Sequence, residues 1–264
     1  MHMVDLLVPI IIGWVFGYLV NYLGDVLPAT RRFSRPACPH CGREYTPREY
    51  LLGRNCGQCG RRRGFRFWLV LLAMTASSVY IWLHPPSRLG FMLGSILLAY
   101  FGVVFVIDLE HRLILHPTSI VGAFLAVGLG WLSHGLLPTV LGGIAGFAIM
   151  FALYYLGVLV SRLRSRRMQA AGQAPDDEEA LGAGDVILGG VLGLLLGWPL
   201  IWFGLLLGIL LAGAFGILLV IWMLIARRYQ KEAFMVFMPY GPFLILSAYF
   251  IVFLPNWLVL VVPK

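Results

Sequence analysis

The sequence predicts an all-α polytopic membrane protein with about eight transmembrane helices and one small cytoplasmic insert. Three observations predict it. First, 60% of the residues are hydrophobic and only 12% are charged, with a mean hydropathy of +0.86, whereas soluble domains carry about 25% charged residues. Second, apolar runs fall at 4–24, 67–83, 89–107, 118–133, 137–161, 185–198, 200–226 and 236–254. Runs of this length suit helices, because a barrel strand needs only about ten residues and alternates between its two faces. Third, if the segment after the first run is inside and the sides alternate from there, eighteen basic residues lie inside. Only Arg88 and Lys264 lie outside. That bias places the N-terminus outside the cytoplasm. It also accounts for the net charge of +8 by topology, with no need for a nucleic-acid partner.

The first run has no basic region before it and carries Asp5 instead, so it is expected to be retained as a membrane helix and not cleaved as a signal peptide. Gly17 and Asn21 share one face, with Asp25 a turn further on. Such faces usually pack against other helices. The chain is expected to divide into a first helix at 1–28, a soluble insert at 29–66 and a transmembrane core at 67–264. In the insert, Cys38-Pro-His-Cys41 and Cys56-Gly-Gln-Cys59 form two CxxC pairs separated by fourteen residues. Four thiolates so spaced make a closed tetrahedral zinc site. Two disulfides are the alternative, disfavoured by a cytoplasmic location. A closed site has no open coordination position, so the zinc is structural, and its binding is expected to supply folding free energy that the insert's few apolar residues cannot. The surrounding arginines are placed to touch anionic lipid headgroups.

Beyond the hairpin of 67–83 and 89–107, Asp108 closes an apolar run, followed by Glu110, His111 and Arg112. His111, three residues on, is within reach of Asp108 if this turn is helical, although a solvated histidine is the plainer reading. Pro117 suits the start of the next helix. The polar loop 162–184 begins with Arg162, Arg164, Arg166 and Arg167 and ends acidic at 176–179. It reads as a solvated linker, or as an acidic attractor for a basic peptide.

Gly182-Ala-Gly184-Asp185 then opens an uncharged run. Asp185, Gly189, Gly193 and Gly197 recur every four residues, so on a helix they form one stripe suited to close packing. The stripe Gly204, Gly208, Ala212, Gly216 in the next run is its expected partner. A carboxylate at the mouth of a membrane segment is a functional candidate by default. Asp108 and Asp185 both fall at cytoplasmic helix ends, where two carboxylates can share a proton and activate a water. The plain alternative for each is a flanking charge that reaches the interface. Pro239-Tyr-Gly241-Pro242 either forms irregular backbone walling a cavity or begins an ordinary helix.

These pieces together resemble a known family. The sequence at 182–185 is similar to the GxGD signature of intramembrane aspartyl proteases. The stretch 107–112 resembles the other aspartate motif of their bacterial branch, the type IV prepilin peptidases. The segment 17–21 with Leu27-Pro28, the paired cysteines and the stretch 239–243 follow in the family's order over nearly the whole chain. The resemblance implies an aspartic endopeptidase of the bacterial inner membrane with Asp108 and Asp185 catalytic. It implies that Gly182, Gly184, Pro239, Gly241 and Pro242 shape the site. Its substrates would be prepilin or pseudopilin precursors, cut between a basic leader and an apolar helix. It also implies methylation of the new N-terminus from S-adenosylmethionine in many members, a step linked to the cysteine-bearing region. The spacer at 42–55 is shorter than the family's and lacks its Trp-Tyr-Asp-Asn-like run, and the proline after Asp108 comes two positions late. A peptidase without the methylation step is one alternative, and a transporter or assembly scaffold with a zinc docking module is the alternative from another class.

Overall fold

The computed structural model describes residues 5–38, 40–170, 182–226 and 239–254. They form nine α-helices and, among the described residues, no strand beyond an isolated bridge between Ala37 and Glu44. The chain divides into two units, Met1–Leu113 and Ile114–Lys264.

The first unit contains α1 (Leu7–Thr30), α2 (Pro47–Leu51), α3 (Phe65–Leu83) and α4 (Gly90–His111). Its central contact is a close approach of α1 to α3. A Cβ added at Gly13 would lie 2.6 Å from Thr75 Cα, and one at Gly17 would lie 2.9 Å from Leu71 Cδ2. Only glycine permits that spacing. The fully buried Asn21 crosses the same interface: its Nδ2 donates to Gly17 O at 3.0 Å and Phe67 O at 3.2 Å. Gly102 of α4 meets Val20 of α1 in the same way, at 2.9 Å from an added Cβ. The packing role expected of Gly17 and Asn21 is what the structure shows. The short α2 is fixed by a capping box, with Glu49 N–H donating to Thr46 Oγ1 and Thr46 N–H to Glu49 Oε2, and by Pro47 in its first turn.

The second unit contains α5 (His116–His134), α6 (Leu136–Ala170), α7 (Ala183–Leu196), α8 (Leu200–Ile225) and α9 (Gly241–Phe253). Here α7 is the hub, packed against α5, α6, α8 and α9. Its glycine stripe does not pack on the stripe of α8, as the sequence suggested. The partner is α6. A Cβ added at Gly142, Gly146 or Gly193 would run into the backbone carbonyl of Gly193, Gly189 or Gly142 respectively. Gly142 and Gly146 are themselves four apart, so two small-residue faces meet backbone to backbone. In α8, Gly204 instead accommodates Leu196 and Gly208 accommodates Leu244 of α9, while Gly213 and Gly216 face open space.

The helix α6 also continues nine residues past its apolar run, through the arginines assigned to a loop. Arg, Leu, Met, Gln and Ala all favour helix, and nothing between 162 and 170 breaks it. The acidic stretch 176–179 lies outside the described residues. Five helices (α1, α3, α4, α6 over Leu136–Arg166, and α8) are long and apolar enough to cross a membrane. The apolar α7 and α9 have 14 and 13 residues. The polar ends of α5, His116 and His134, dilute its apolar centre.

The glycine contacts predict that Gly146→Ala destabilises the protein by about 1–3 kcal/mol through overpacking. Gly216→Ala, in open space, is expected to be neutral or slightly stabilising because alanine favours helix. Thermal unfolding in detergent checks both, and equal effects would contradict the α6–α7 contact.

Candidate active site and cysteine metal centre

Asp185 sits in the first turn of α7, where helix dipole and unpaired N–H groups favour a carboxylate. Gly182 N–H donates to its Oδ2 at 3.2 Å, and Asp185 N–H donates back to Gly182 O at 3.1 Å. The side chain is only 9% exposed. The two glycines of the motif have different reasons. An added Cβ at Gly184 would lie 2.9 Å from Ile114 Cβ, so the chain segment before α5 presses on this turn. At Gly182 it would meet only ordinary contact, 3.6 Å from Asp185 Oδ2.

Asp108 lies in the last turn of α4 and is 4% exposed. Its carbonyl accepts the N–H of Arg112 at 2.8 Å, and Arg112 closes the helix in the left-handed conformation at φ 53°. The turn is helical through His111, which puts that histidine on the same side of the helix as Asp108. His111 also lines a cavity beside Asp25 and Glu110. Asp108 belongs to the first unit and Asp185 to the second. Pro239 precedes Tyr240, the N-cap of α9, and the buried Gly241 and Pro242 form that helix's first turn. The part of this motif that is described is thus an ordinary proline-led helix start. Residues 236–238 lie outside the described residues.

The four cysteines converge. Cys38 Sγ is 3.7 Å from Cys59 Sγ, Cys41 Sγ is 3.5 Å from Cys56 Sγ, and all four sulfurs lie within 4.8 Å of one another. Disulfide sulfurs would be about 2.05 Å apart, so these are free thiols. A tetrahedral ion with bonds of about 2.3 Å to sulfur has S···S edges of about 3.8 Å. The cluster therefore fits a metal ion.

The two knuckles repeat one local design that spacing alone did not reveal. Cys38 N–H donates to Arg43 O at 2.8 Å, and Cys56 N–H donates to Arg61 O at 3.0 Å. Gly42 and Gly60 return N–H bonds to Cys38 O and Cys56 O at 2.9 and 2.8 Å. Gly42 and Gly60 have φ of 73° and 67°, a conformation that explains the glycine after each pair. Backbone N–H groups of His40 and then Cys41 bring the Cys38 thiol down to about 6. Those of Cys59 and then Gln58 lower Cys56. Both shifts favour the thiolate, the form that binds metal.

A polar cluster absent from the sequence reading ties this insert to the helices. Asp25 accepts from Tyr50 Oη at 2.7 Å and from Arg66 Nη1, and lies 3.6 Å from Arg63 Nη1. Arg66 Nε lies 2.7 Å from Glu110 Oε1, a close ion contact without hydrogen-bond alignment. Gly24 leaves room for the Arg66 guanidinium, 2.7 Å from where its Cβ would be. The Arg63 guanidinium stands over the rings of Tyr45, Tyr50 and Phe67 at 4.4, 4.1 and 4.9 Å. The only hint in the sequence was the position of Asp25 on the packing face of α1.

Comparison with known proteins follows the same residues. The stretch 95–218, which contains both Asp108 and Asp185, matches the Type IV leader peptidase family. The matched stretch is a little under half of the chain, which is similar to that family there. The chain is a peptidase. A curated relative, the Prepilin leader peptidase/N-methyltransferase of Aeromonas hydrophila, is 26% identical over 239 residues, covering 85% of this chain and 73% of the relative. No solved structure matches.

The sulfur geometry predicts about one equivalent of bound metal per purified chain, read by elemental analysis. Cys41→Ser combined with Cys56→Ser should remove it and lower the unfolding temperature. Full metal content in that variant would rule out the cysteine site.

Proposed function

We propose that this protein is an aspartic endopeptidase of the type IV leader peptidase family that removes the basic leader of type IV prepilin or pseudopilin precursors at the cytoplasmic face of the inner membrane. One observation carries the proposal. The family match spans both aspartates, and each is a buried carboxylate in the end turn of an apolar helix. Burying a carboxylate in such a place is costly, so one kept there is a functional-site candidate.

In the proposed mechanism Asp108 and Asp185 work on one water. One carboxylate takes a proton as the water oxygen attacks the scissile carbonyl, and the other, protonated, donates to the carbonyl oxygen. The tetrahedral diol then collapses, the C–N bond breaks, and the leaving nitrogen takes the proton. No acyl-enzyme forms, because water is the nucleophile. Gly182 and Gly184 set the α7 turn that presents Asp185. Pro239, Gly241 and Pro242 are proposed to wall the substrate cavity.

The domain division proposed is a first helix (1–28), a metal-binding insert (29–66) and a peptidase core (67–264). The helices α5, α7 and α9 complete eight crossings, with the N-terminus outside. Four thiolates in a closed tetrahedral arrangement favour zinc in a structural role. Methyl transfer from S-adenosylmethionine to the new N-terminus is a second reading, supported by the relative's name.

Asp108→Ala and Asp185→Ala should each reduce cleavage of a model precursor by at least about a thousandfold, as loss of a catalytic group does, with unfolding temperatures close to the parent's. Mass spectrometry of the product N-terminus reads processing and methylation together. Substantial cleavage by either variant would remove the pair from the mechanism.

A further inference from the structure

The cluster around Asp25 borders a cavity of about 400 Å³ that the peptidase reading does not use. It lies wholly within the first unit, at the ends of α1, α3 and α4. Arg61, Arg62, Arg63 and Arg66 line it, with Asp25 and Glu110 as the acidic groups. Four guanidinium groups face two carboxylates, an excess of two positive charges among these side chains, and Cys38 also lines the wall.

The donors are also in excess. The Arg63 side chain is only 10% exposed, and among the described residues its Nε and Nη2 have no hydrogen-bond partner. Arg66 Nη2 has none either. The single ion contact of Arg63 is with Asp25 at 3.6 Å, too long for a hydrogen bond. A buried donor left without a partner carries its desolvation penalty uncompensated, and more so when it is charged. The rings of Tyr45, Tyr50 and Phe67 occupy the guanidinium's apolar surroundings but accept none of those hydrogens in a bond of ordinary strength.

We propose that this cavity binds a phosphate group. A phosphate presents several oxygens at the spacing of an arginine fork, and its charge offsets the excess of two. Arg61 and Arg62, both exposed, form the rim that captures it, and Arg63 and Arg66 line the interior wall. The position favours a lipid as its source. The cavity is at the ends of helices long enough to span a bilayer, the level at which headgroup phosphates lie, and basic pockets between such helices bind anionic headgroups. Tyr45 also borders a second, apolar cleft of about 700 Å³ with Val15, Leu19 and Phe33, a surface suited to an acyl chain.

The test uses the full-length, delipidated chain and reads thermal unfolding by tryptophan fluorescence. The probes, at matched ionic strength, are phosphatidylglycerol micelles, phosphatidylcholine micelles and inorganic phosphate alone. Phosphatidylglycerol is expected to raise the unfolding temperature well above the phosphatidylcholine value. The double change Arg61→Gln with Arg62→Gln should weaken that response by about tenfold or more, while Arg88→Gln, away from the cavity, leaves it intact. Arg63→Lys keeps the charge and loses the fork, so it should also blunt the response, with metal content confirming that the insert has folded. An equal shift from inorganic phosphate would support the site with a soluble source. No response to either phosphate probe, or the parent's response in the Arg61 and Arg62 variant, would overturn the proposal.

Discussion

The second unit depends on one contact, the meeting of glycine backbones between α6 and α7. Within a bilayer, water does not drive helices together, because lipid tails are as apolar as leucine. Association has to come from close packing. Gly142 and Gly146 on α6 and Gly189 and Gly193 on α7 allow carbonyls to approach where any Cβ would stand. That contact holds a helix of only 14 residues, about 21 Å at ~1.5 Å per residue, at the centre of its unit. The buried turn carrying Asp185 is therefore fixed by packing along its length and by Gly182 at its start.

The first unit solves a different problem: how a small polar insert is held onto apolar helices. Its core is not separate from theirs. Cys38, Tyr45, Tyr50 and Cys56 form one buried cluster with Phe67 and Leu71 of α3, and Tyr18 and Tyr22 of α1 pack against it. Polar links then extend the connection. Tyr50 bonds Asp25, Asp25 bonds Arg66, and Arg66 contacts Glu110, two residues after Asp108. The metal centre and the last turn of α4 thus belong to one continuous network.

The helices were legible because hydropathy is summed over many residues: the described part of each of the eight apolar runs contains a helix. A boundary was legible where proline marks it, at Pro117, whereas Gly197, expected on the helical stripe, instead caps α7 with φ 73°. None was legible at Arg162 to Arg167, where charge suggested a loop and helix propensity decided otherwise. The glycine stripe of α7 was visible, but its partner was not. Two candidate faces at the same spacing exist, and only geometry chose Gly142 and Gly146 over Gly204 and Gly208. The cysteine cluster followed from spacing. The Asp25 network did not, because residues 25, 50, 63, 66 and 110 share no local pattern. The aspartates of the candidate site were singled out by their rarity in apolar surroundings, and both are buried.

The central claim is that Asp108 and Asp185 act as a pair. The most direct measurement is site-directed cross-linking of the chain carrying Asp108→Cys and Asp185→Cys, in membranes, with a short thiol-reactive linker. Peptide mass spectrometry identifies the linked positions, so the metal-site cysteines do not confuse the result. The account predicts a linkage between positions 108 and 185 in at least one of two conditions, with a precursor peptide present or without it. Failure to link them under both conditions, in protein that retains its metal and its folded stability, would contradict it.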